Sequence, residues 1–201
     1  MAMQLIECVP NFSEGRRPEV IEKIVDCFKD KRGVYLLDHR ADEDHNRLVI
    51  SLVGAPAPIQ DALIEAAKVA LANIDMNSHQ GGHPRIGAVD VVPFTPIKGI
   101  TMEECIGLAH SFGERYFKEC GIPVYFYEDA AKRPERKRLE VIRKGQYEVL
   151  KEATLQTVTM GDSKPLSLAE NDMIAIKATM RLGFLPVKEE AFAVLAPKAA
   201  A

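Results

Sequence analysis

The sequence predicts an α/β domain in which a mixed sheet has helices packed against it. Short apolar segments typical of strands alternate with helical segments of roughly ten or more residues, which is the pattern of strand–helix crossover units. The chain has 201 residues, of which 47% are hydrophobic and 27% charged. This length and composition are those of one globular domain with an apolar core.

Composition also argues against several classes of protein. The net charge of -3 provides no basic field for nucleic acid or a membrane surface. No apolar run reaches the roughly 18 residues of a membrane-spanning helix, and the first residues lack the layout of a signal peptide. Four scattered cysteines without a C-x-x-C pair indicate reduced thiols. We therefore expect a cytoplasmic protein without nucleic-acid or membrane partners.

The first half of the chain contains three predicted strands, at residues 3–9, 34–38 and 48–53. A first helix begins at Pro18, since proline is tolerated in the first turn, and a second covers residues 56–74. Both helices have an apolar stripe at helical spacing. The stripe residues are Val20, Ile21, Ile24, Val25 and Phe28 in the first helix and Ile59, Leu63, Ala66, Ala67, Ala70, Leu71 and Ile74 in the second.

In the second half, a strand is predicted at residues 86–94. Thr101 and Glu104 form a capping box that opens a third helix. That helix runs to about residue 119 and is stopped by Gly121. A strand follows at residues 122–127.

The segment 128–145 contains seven basic residues. It fits either a solvated helix, because glutamates are interspersed, or a site for phosphate or polyglutamate. Beyond it, residues 154–164 resemble a linker, residues 168–182 a helix, and residues 191–195 a short apolar run.

The stretch from Asp75 to Asp90 is the candidate site. Two histidines, an arginine and three glycines lie within nine of its residues. A helix is disfavoured, since each glycine costs about 1 kcal/mol and Pro84 about 3 kcal/mol in a helix interior. Titratable side chains on a loop held by a rigid scaffold are common at functional sites.

Three interpretations of this loop compete. His79 and His83 have the spacing of two metal ligands, but that arrangement needs a helix and further ligands nearby. Both could instead be solvated loop residues. In the third interpretation His83 is a general acid or base, because imidazole titrates near pH ~6.5, and Arg85 offers a planar fork for a carboxylate.

Two other positions have open interpretations. The turn after the first strand contains Asn11 and Ser13, which either connect strand to helix or face a ligand. Asp90, inside a predicted strand, is either a site carboxylate or a residue at a capped or edge position.

Three separated motifs resemble one family. They are ECVPNFSEG from Glu7, LLDHRADEDHNRLVISLVG from Leu36, and IDMNSHQGGHPRIGAVDVVPF from Ile74. In this order they resemble the N-terminal subdomain of the glutamate formimidoyltransferases. The resemblance runs from about Met3 to Tyr147.

The resemblance implies an α/β (α+β) sandwich of ferredoxin-like type and a specific reaction. The formimino group of N-formimino-L-glutamate would pass to N5 of tetrahydrofolate in histidine degradation, with tetrahydrofolate as co-substrate and no metal. His83 would be the catalytic acid and base, and Arg85 and Arg47 would hold substrate carboxylates. The other substrate-binding residues would be Asn46, Asn11, Ser13 and Gly82.

One position departs from the family. Mammalian members have an aspartate at the position of Arg40, which is considered a helper of the catalytic histidine. A carboxylate that assists His83 here would then be Asp38, Asp42 or Asp44.

The resemblance predicts an N-terminal subdomain at residues 1–150 and an unassigned tail at 151–201, which packs on the domain or on a partner chain, with a homodimer as the expected assembly. Full-length family members continue into a second subdomain that contacts folate. The alternative function is therefore a non-catalytic or partner-dependent protein that binds folate or formiminoglutamate weakly.

Overall fold

The computed structural model describes residues 3–151 and 193–197, which form a single sheet with helices. The strands are β1 (Leu5–Cys8), β2 (Asn11–Phe12), β3 (Val34–Asp42), β4 (Arg47–Gly54), β5 (Val89–Lys98), β6 (Val124–Phe126) and β7 (Ala193–Pro197). The helices are α1 (Pro18–Asp26), α2 (Pro56–Asn73), α3 (Met102–Cys120) and the short α4 (Leu139–Ile142). Residues 146–151 are again helical and are called α5.

The sheet is mixed, which confirms the predicted fold class. β1 and β2 lie end to end at the same position in the sheet, between β4 on one side and β5 on the other. All four pairings are antiparallel. β3 pairs with the outer edge of β4. On the far side of β5, β7 and then β6 are added in parallel.

The apolar core lies between one face of the sheet and the helices α1, α2 and α3. Along β4, the buried residues Leu48, Ile50 and Leu52 alternate with half-buried ones. This period of two places every second side chain against the helices. The predicted stripes are confirmed: in α1 and α2 they supply Val20, Ile21, Ile24, Val25, Ile59, Leu63, Ala66, Ala67, Ala70 and Leu71 to the core.

The predicted helix ends are confirmed as well. Pro18 and Pro56 lie in the first turns of α1 and α2. The side chain of Thr101 accepts a hydrogen bond from the backbone of Glu104, whose carboxylate accepts in return from Thr101. Gly121 ends α3 in the left-handed region at φ 73°.

Several predicted boundaries were wrong. β3 runs to Asp42, not to residue 38, because pairing with β4 needs only backbone groups and leaves the charged side chains in water. β5 begins at Val89, not at residue 86. The basic segment forms two short 3-10 turns and α4, so a continuous helix is absent from it. The predicted linker (154–164) and helix (168–182) lie outside the described residues.

Candidate active site

A β-bulge turns Asp90 out of the regular sheet pattern. Asn11 pairs with Val91 and the next residue, Phe12, pairs with Val89. Asp90 is therefore the extra residue on β5, and such an insertion redirects side chains next to it. The side chain of Asp90 is 2% exposed and points to the loop that carries His83.

His83 lies between this carboxylate and an arginine. Its Nε2 is 3.5 Å from Oδ2 of Asp90, and its Nδ1 is 3.3 Å from Nη1 of Arg47. The side chain of His83 is only 14% exposed. Of the groups predicted for the site, the structure thus brings His83 and Arg47 into direct contact.

These contacts define the tautomer of neutral His83. A guanidinium has no lone pair, so Nδ1 of His83 accepts the hydrogen bond from Arg47. The proton of the neutral ring is then on Nε2, the nitrogen that faces Asp90. Nε2 thus faces a carboxylate, and Nδ1 can accept a proton only when Arg47 no longer donates to it.

Asp90 is held by two donors of its own. The backbone N–H of Ile86 donates to Oδ1 at 2.9 Å, and Nη2 of Arg143 forms an ion pair with Oδ2. Arg143 comes from the segment after α4 and is 53 positions away in sequence. Arg143 thus contacts Asp90, Asp90 lies beside His83, and His83 contacts Arg47.

Three donor atoms of this arrangement are buried without a hydrogen bond among the described residues. They are Nε of Arg47, Nε of Arg143 and Nε2 of His83. A buried donor without an acceptor is costly, at about 1–3 kcal/mol. Two guanidinium donors in this state beside an imidazole are suited to an anionic ligand.

The loops around His83 are connected through Asn46. Its side chain accepts from the backbone N–H of Gly15 and donates to the carbonyl of Gln80, at 2.9 Å each. Its own carbonyl is 3.1 Å from Nε2 of His79. Asn46 has a φ of 49°, which asparagine tolerates better than most residues.

The glycines of these loops allow close approach of the backbone. A Cβ on Gly81 would lie 2.3 Å from the carbonyl oxygen of His45. Gly82 donates its backbone N–H to the carbonyl of Asp44 at 3.0 Å. The turn between β3 and β4 is thus packed directly on the loop of His83.

Arg85 is buried in a network of protein acceptors. Its Nη1 and Nη2 donate to the two carboxylate oxygens of Glu148 at 3.0 and 2.6 Å, and Nη1 donates to Gln146 at 2.6 Å. Its Nε and Nη2 donate to Nδ1 and the carbonyl of His79. All five N–H groups therefore have protein partners, and α5 is attached to the His83 loop.

His79 is held as a neutral ring by the same network. Burial lowers its pKa, the carbonyl of Asn46 opposes this effect, and the charge of Arg85 adds to it. Its Nδ1 accepts from Arg85, so its proton is on Nε2, toward Asn46.

The two residues of the N-terminal turn have different positions. Ser13 is buried and donates to the carbonyl of Gly87 at 2.7 Å, so it holds the loop before β5. Asn11 is half-buried, bonds to the carbonyl of Val9 and pairs with Val49 and Val91 on the sheet.

The carboxylate beside His83 is Asp90, which differs from the three expected candidates Asp38, Asp42 and Asp44. Asp90 lies next to the ring, whereas Asp38 pairs with Arg40, and Asp42 pairs with His45. The reason is the bulge, which a sequence pattern does not reveal. Arg143 was also missed as a site residue, because only its place in a basic segment marked it.

Two classes of site or segment are absent from the described residues. Residues 3–151 contain no group of three or more histidine, cysteine, aspartate or glutamate side chains arranged to bind a metal ion. Within that same part of the chain, no helix has the length and apolar character needed to cross a membrane.

The fold is that of an α/β domain in which an imidazole lies beside a buried carboxylate. The family model described as "Formiminotransferase domain, N-terminal subdomain" matches residues 5–173, and the chain belongs to this family. The predicted family is thereby confirmed, and the match extends beyond residue 150, where the predicted tail begins.

Relatives cover a wide range of organisms. A glutamate formimidoyltransferase of Streptococcus pyogenes serotype M1 is 48% identical over 153 residues, which are 76% of this chain and 51% of that protein. One from Thermoplasma acidophilum is 47% identical over 75% of this chain and 50% of its own length. The formimidoyltransferase-cyclodeaminase of Mus musculus is 45% identical over 82% of this chain and 30% of its length. The chain thus spans about half of the length of the first two relatives and less than a third of the third.

Proposed function

We propose that this chain transfers the formimino group of N-formimino-L-glutamate to N5 of tetrahydrofolate, with His83 as the group that moves the proton. The observation that carries the proposal is the geometry of His83, whose side chain is 14% exposed and lies between Asp90 and Arg47. The names of the similar proteins, which are glutamate formimidoyltransferases, supply the reaction.

The chemistry of formimino transfer matches this geometry. An amine attacks the formimino carbon and loses a proton, and the glutamate nitrogen gains a proton as it leaves. His83 accepts the first proton at Nδ1, once Arg47 has moved to a substrate carboxylate. Asp90 stabilises the imidazolium through Nε2, in the way that a carboxylate supports a catalytic histidine.

The buried donors support the binding of anionic substrates. Formiminoglutamate has two carboxylates, and Nε of Arg47 and Nε of Arg143 have no acceptor among the described residues. Arg47 thus keeps its proposed role as a carboxylate ligand. The glutamate tail of tetrahydrofolate is also anionic and suits the basic segment of residues 128–145.

The other predicted substrate-binding residues divide by their contacts. Asn11 and Gly82 are accessible in part and stay candidates for substrate contact. Asn46 and Ser13 have partners that join the loops, and Arg85 has protein partners for all five N–H groups. For these three we propose a positioning role. The homodimer and the packing of the tail stay predictions.

The test is a coupled assay for 5-formiminotetrahydrofolate with the purified chain and its His83→Ala variant. A positioned proton-transfer group is worth about 10²–10⁴-fold in kcat, and we expect a loss of this size with the fold intact. His79→Ala is the matched control and should cost much less. Equal losses at the two histidines would contradict the role of His83.

The second candidate function is a binding protein that depends on a partner chain. A chain without turnover that still binds formiminoglutamate or tetrahydrofolate in calorimetry would support it over the transferase. Micromolar binding with rapid turnover would refute it.

A further inference from the structure

A second imidazole–carboxylate pair lies beside His83. Nδ1 of His45 is 3.0 Å from Oδ2 of Asp42, and the backbone N–H of His45 donates to Oδ1 of the same carboxylate at 2.8 Å. The ring centroids of His45 and His83 are 6.4 Å apart, with the planes at 82°. Two imidazoles, each with its own carboxylate, are therefore close enough to serve one small substrate.

The backbone keeps these two rings together. Gly82, next to His83, donates to the carbonyl of Asp44 at 3.0 Å, and Gly81 is packed against the carbonyl of His45. On the other side of the turn, Nε of Arg16 donates to the carbonyl of Glu43 at 2.8 Å. The spacing of the rings is thus set by two loops that contact each other directly.

His45 has the features of a group that exchanges protons with a ligand. Its side chain is 49% exposed, and its Nδ1 is occupied by Asp42, so Nε2 is the nitrogen available for exchange. The charged or titratable groups around it are Asp42 on its own hairpin, His83 on the opposing loop and Arg16 beside the turn.

We propose that His45, held by Asp42, is a second catalytic residue, which gives a proton to the leaving glutamate nitrogen while His83 takes one from N5. This inference rests on the proposed function. The bond from N5 to the formimino carbon forms as N5 loses its proton to His83. The bond from that carbon to the glutamate nitrogen breaks as this nitrogen gains a proton from His45. With two imidazoles, neither ring needs to move between the two nitrogens.

The first test is the rate of formimino transfer by the whole chain and its His45→Gln variant. The ring centroids of His45 and His83 are 6.4 Å apart, so both rings are within reach of the nitrogens of one small substrate. If His45 gives the proton to the leaving nitrogen, kcat of His45→Gln should fall about 10²-fold. The control is His39→Gln, an exposed histidine on β3, which should leave kcat unchanged.

The second test is the pH dependence of turnover. With His45 as the acid, kcat of the wild type falls at alkaline pH, where the acid has lost its proton, and this alkaline limb should vanish in His45→Gln. Asp42→Asn is the second variant, because its amide oxygen still accepts from the backbone of His45 and keeps the turn. It should lower kcat about tenfold or more while the melting temperature is retained.

The outcomes separate this inference from the function on which it rests. A normal kcat with the alkaline limb retained in His45→Gln, while the wild type is active, would overturn the second acid and leave a pair that only stabilises the turn. A wild-type chain that transfers no formimino group would refute the proposed function and, with it, the role of His45 as a second acid.

Discussion

The substitution Arg85→Lys distinguishes a carboxylate ligand from a structural residue. The arginine has five protein-directed N–H groups, whereas a lysine ammonium has three from a single atom. At least two hydrogen bonds are therefore lost around a side chain that is 7% exposed. At about 1–2 kcal/mol for each, the expected loss of unfolding free energy is about 2–4 kcal/mol.

The lower part of this range is the better expectation. The partner Glu148 is 59% exposed, so water screens its share of the ion pair. For a domain of this size, 2–3 kcal/mol corresponds to a fall of about 4–12 °C in the melting temperature. Circular dichroism during heating measures it directly.

A matched variant makes the result interpretable. Arg115 forms ion pairs with Asp61 and Glu119 on the surface of α3, and its side chain is 37% exposed. Arg115→Lys should cost less than about 1 kcal/mol. If Arg85→Lys also leaves the melting temperature unchanged but weakens binding of formiminoglutamate, then Arg85 is a substrate ligand and the structural reasoning is wrong.

Three further predictions follow from the site. Asp90→Asn should lower kcat about 10²-fold or more; it should also lower the melting temperature, because Arg143 loses its carboxylate partner although the amide oxygen still accepts from Ile86; normal steady-state rates would contradict its role. Gly81→Ala should destabilise the chain by about 1–3 kcal/mol in urea unfolding, because the new Cβ meets a backbone oxygen. The pKa of His79 is lowered in the folded state, so the neutral ring stabilises the fold fully above pH ~6.5, and this stabilisation is lost as the pH falls toward the folded-state pKa. Between pH 8 and pH 5.5, the melting temperature of His79→Gln should therefore fall less than that of the wild type.

The features of the fold that depend on residues close together in the sequence could be predicted from it. Thr101 and Glu104 are three positions apart, and their mutual hydrogen bonds need only a helix start. The apolar stripes of α1 and α2 likewise follow from the period of a helix. The loop with His83 was located because glycine and proline cannot continue the preceding helix.

The partners of the site residues could not be predicted in the same way. Asp90 reaches His83 because of a one-residue shift between β2 and β5, and a strand pattern contains no signal of such a shift. Glu148 is 63 positions from Arg85, and many acidic residues in the chain were equally plausible partners. Side-chain pairing over such separations is decided by packing, which one sequence does not encode in any local pattern.

The basic segment illustrates how polar composition hides a structural role. Within this segment, Cζ of Arg136 lies 4.9 Å from the ring centre of Tyr125, which is on β6. A small apolar cluster forms beside the main core, where Leu139, Ile142 and Leu150 pack against Ile86, Val91 and Tyr127. The packing of residues 139–150 in this cluster brings Arg143 to Asp90 and Glu148 to Arg85. Residues 139–150 therefore complete the site, and since Tyr147 of the same segment is buried in the main core, a change in the packing of this segment should affect the position of His83 and the stability of the core together.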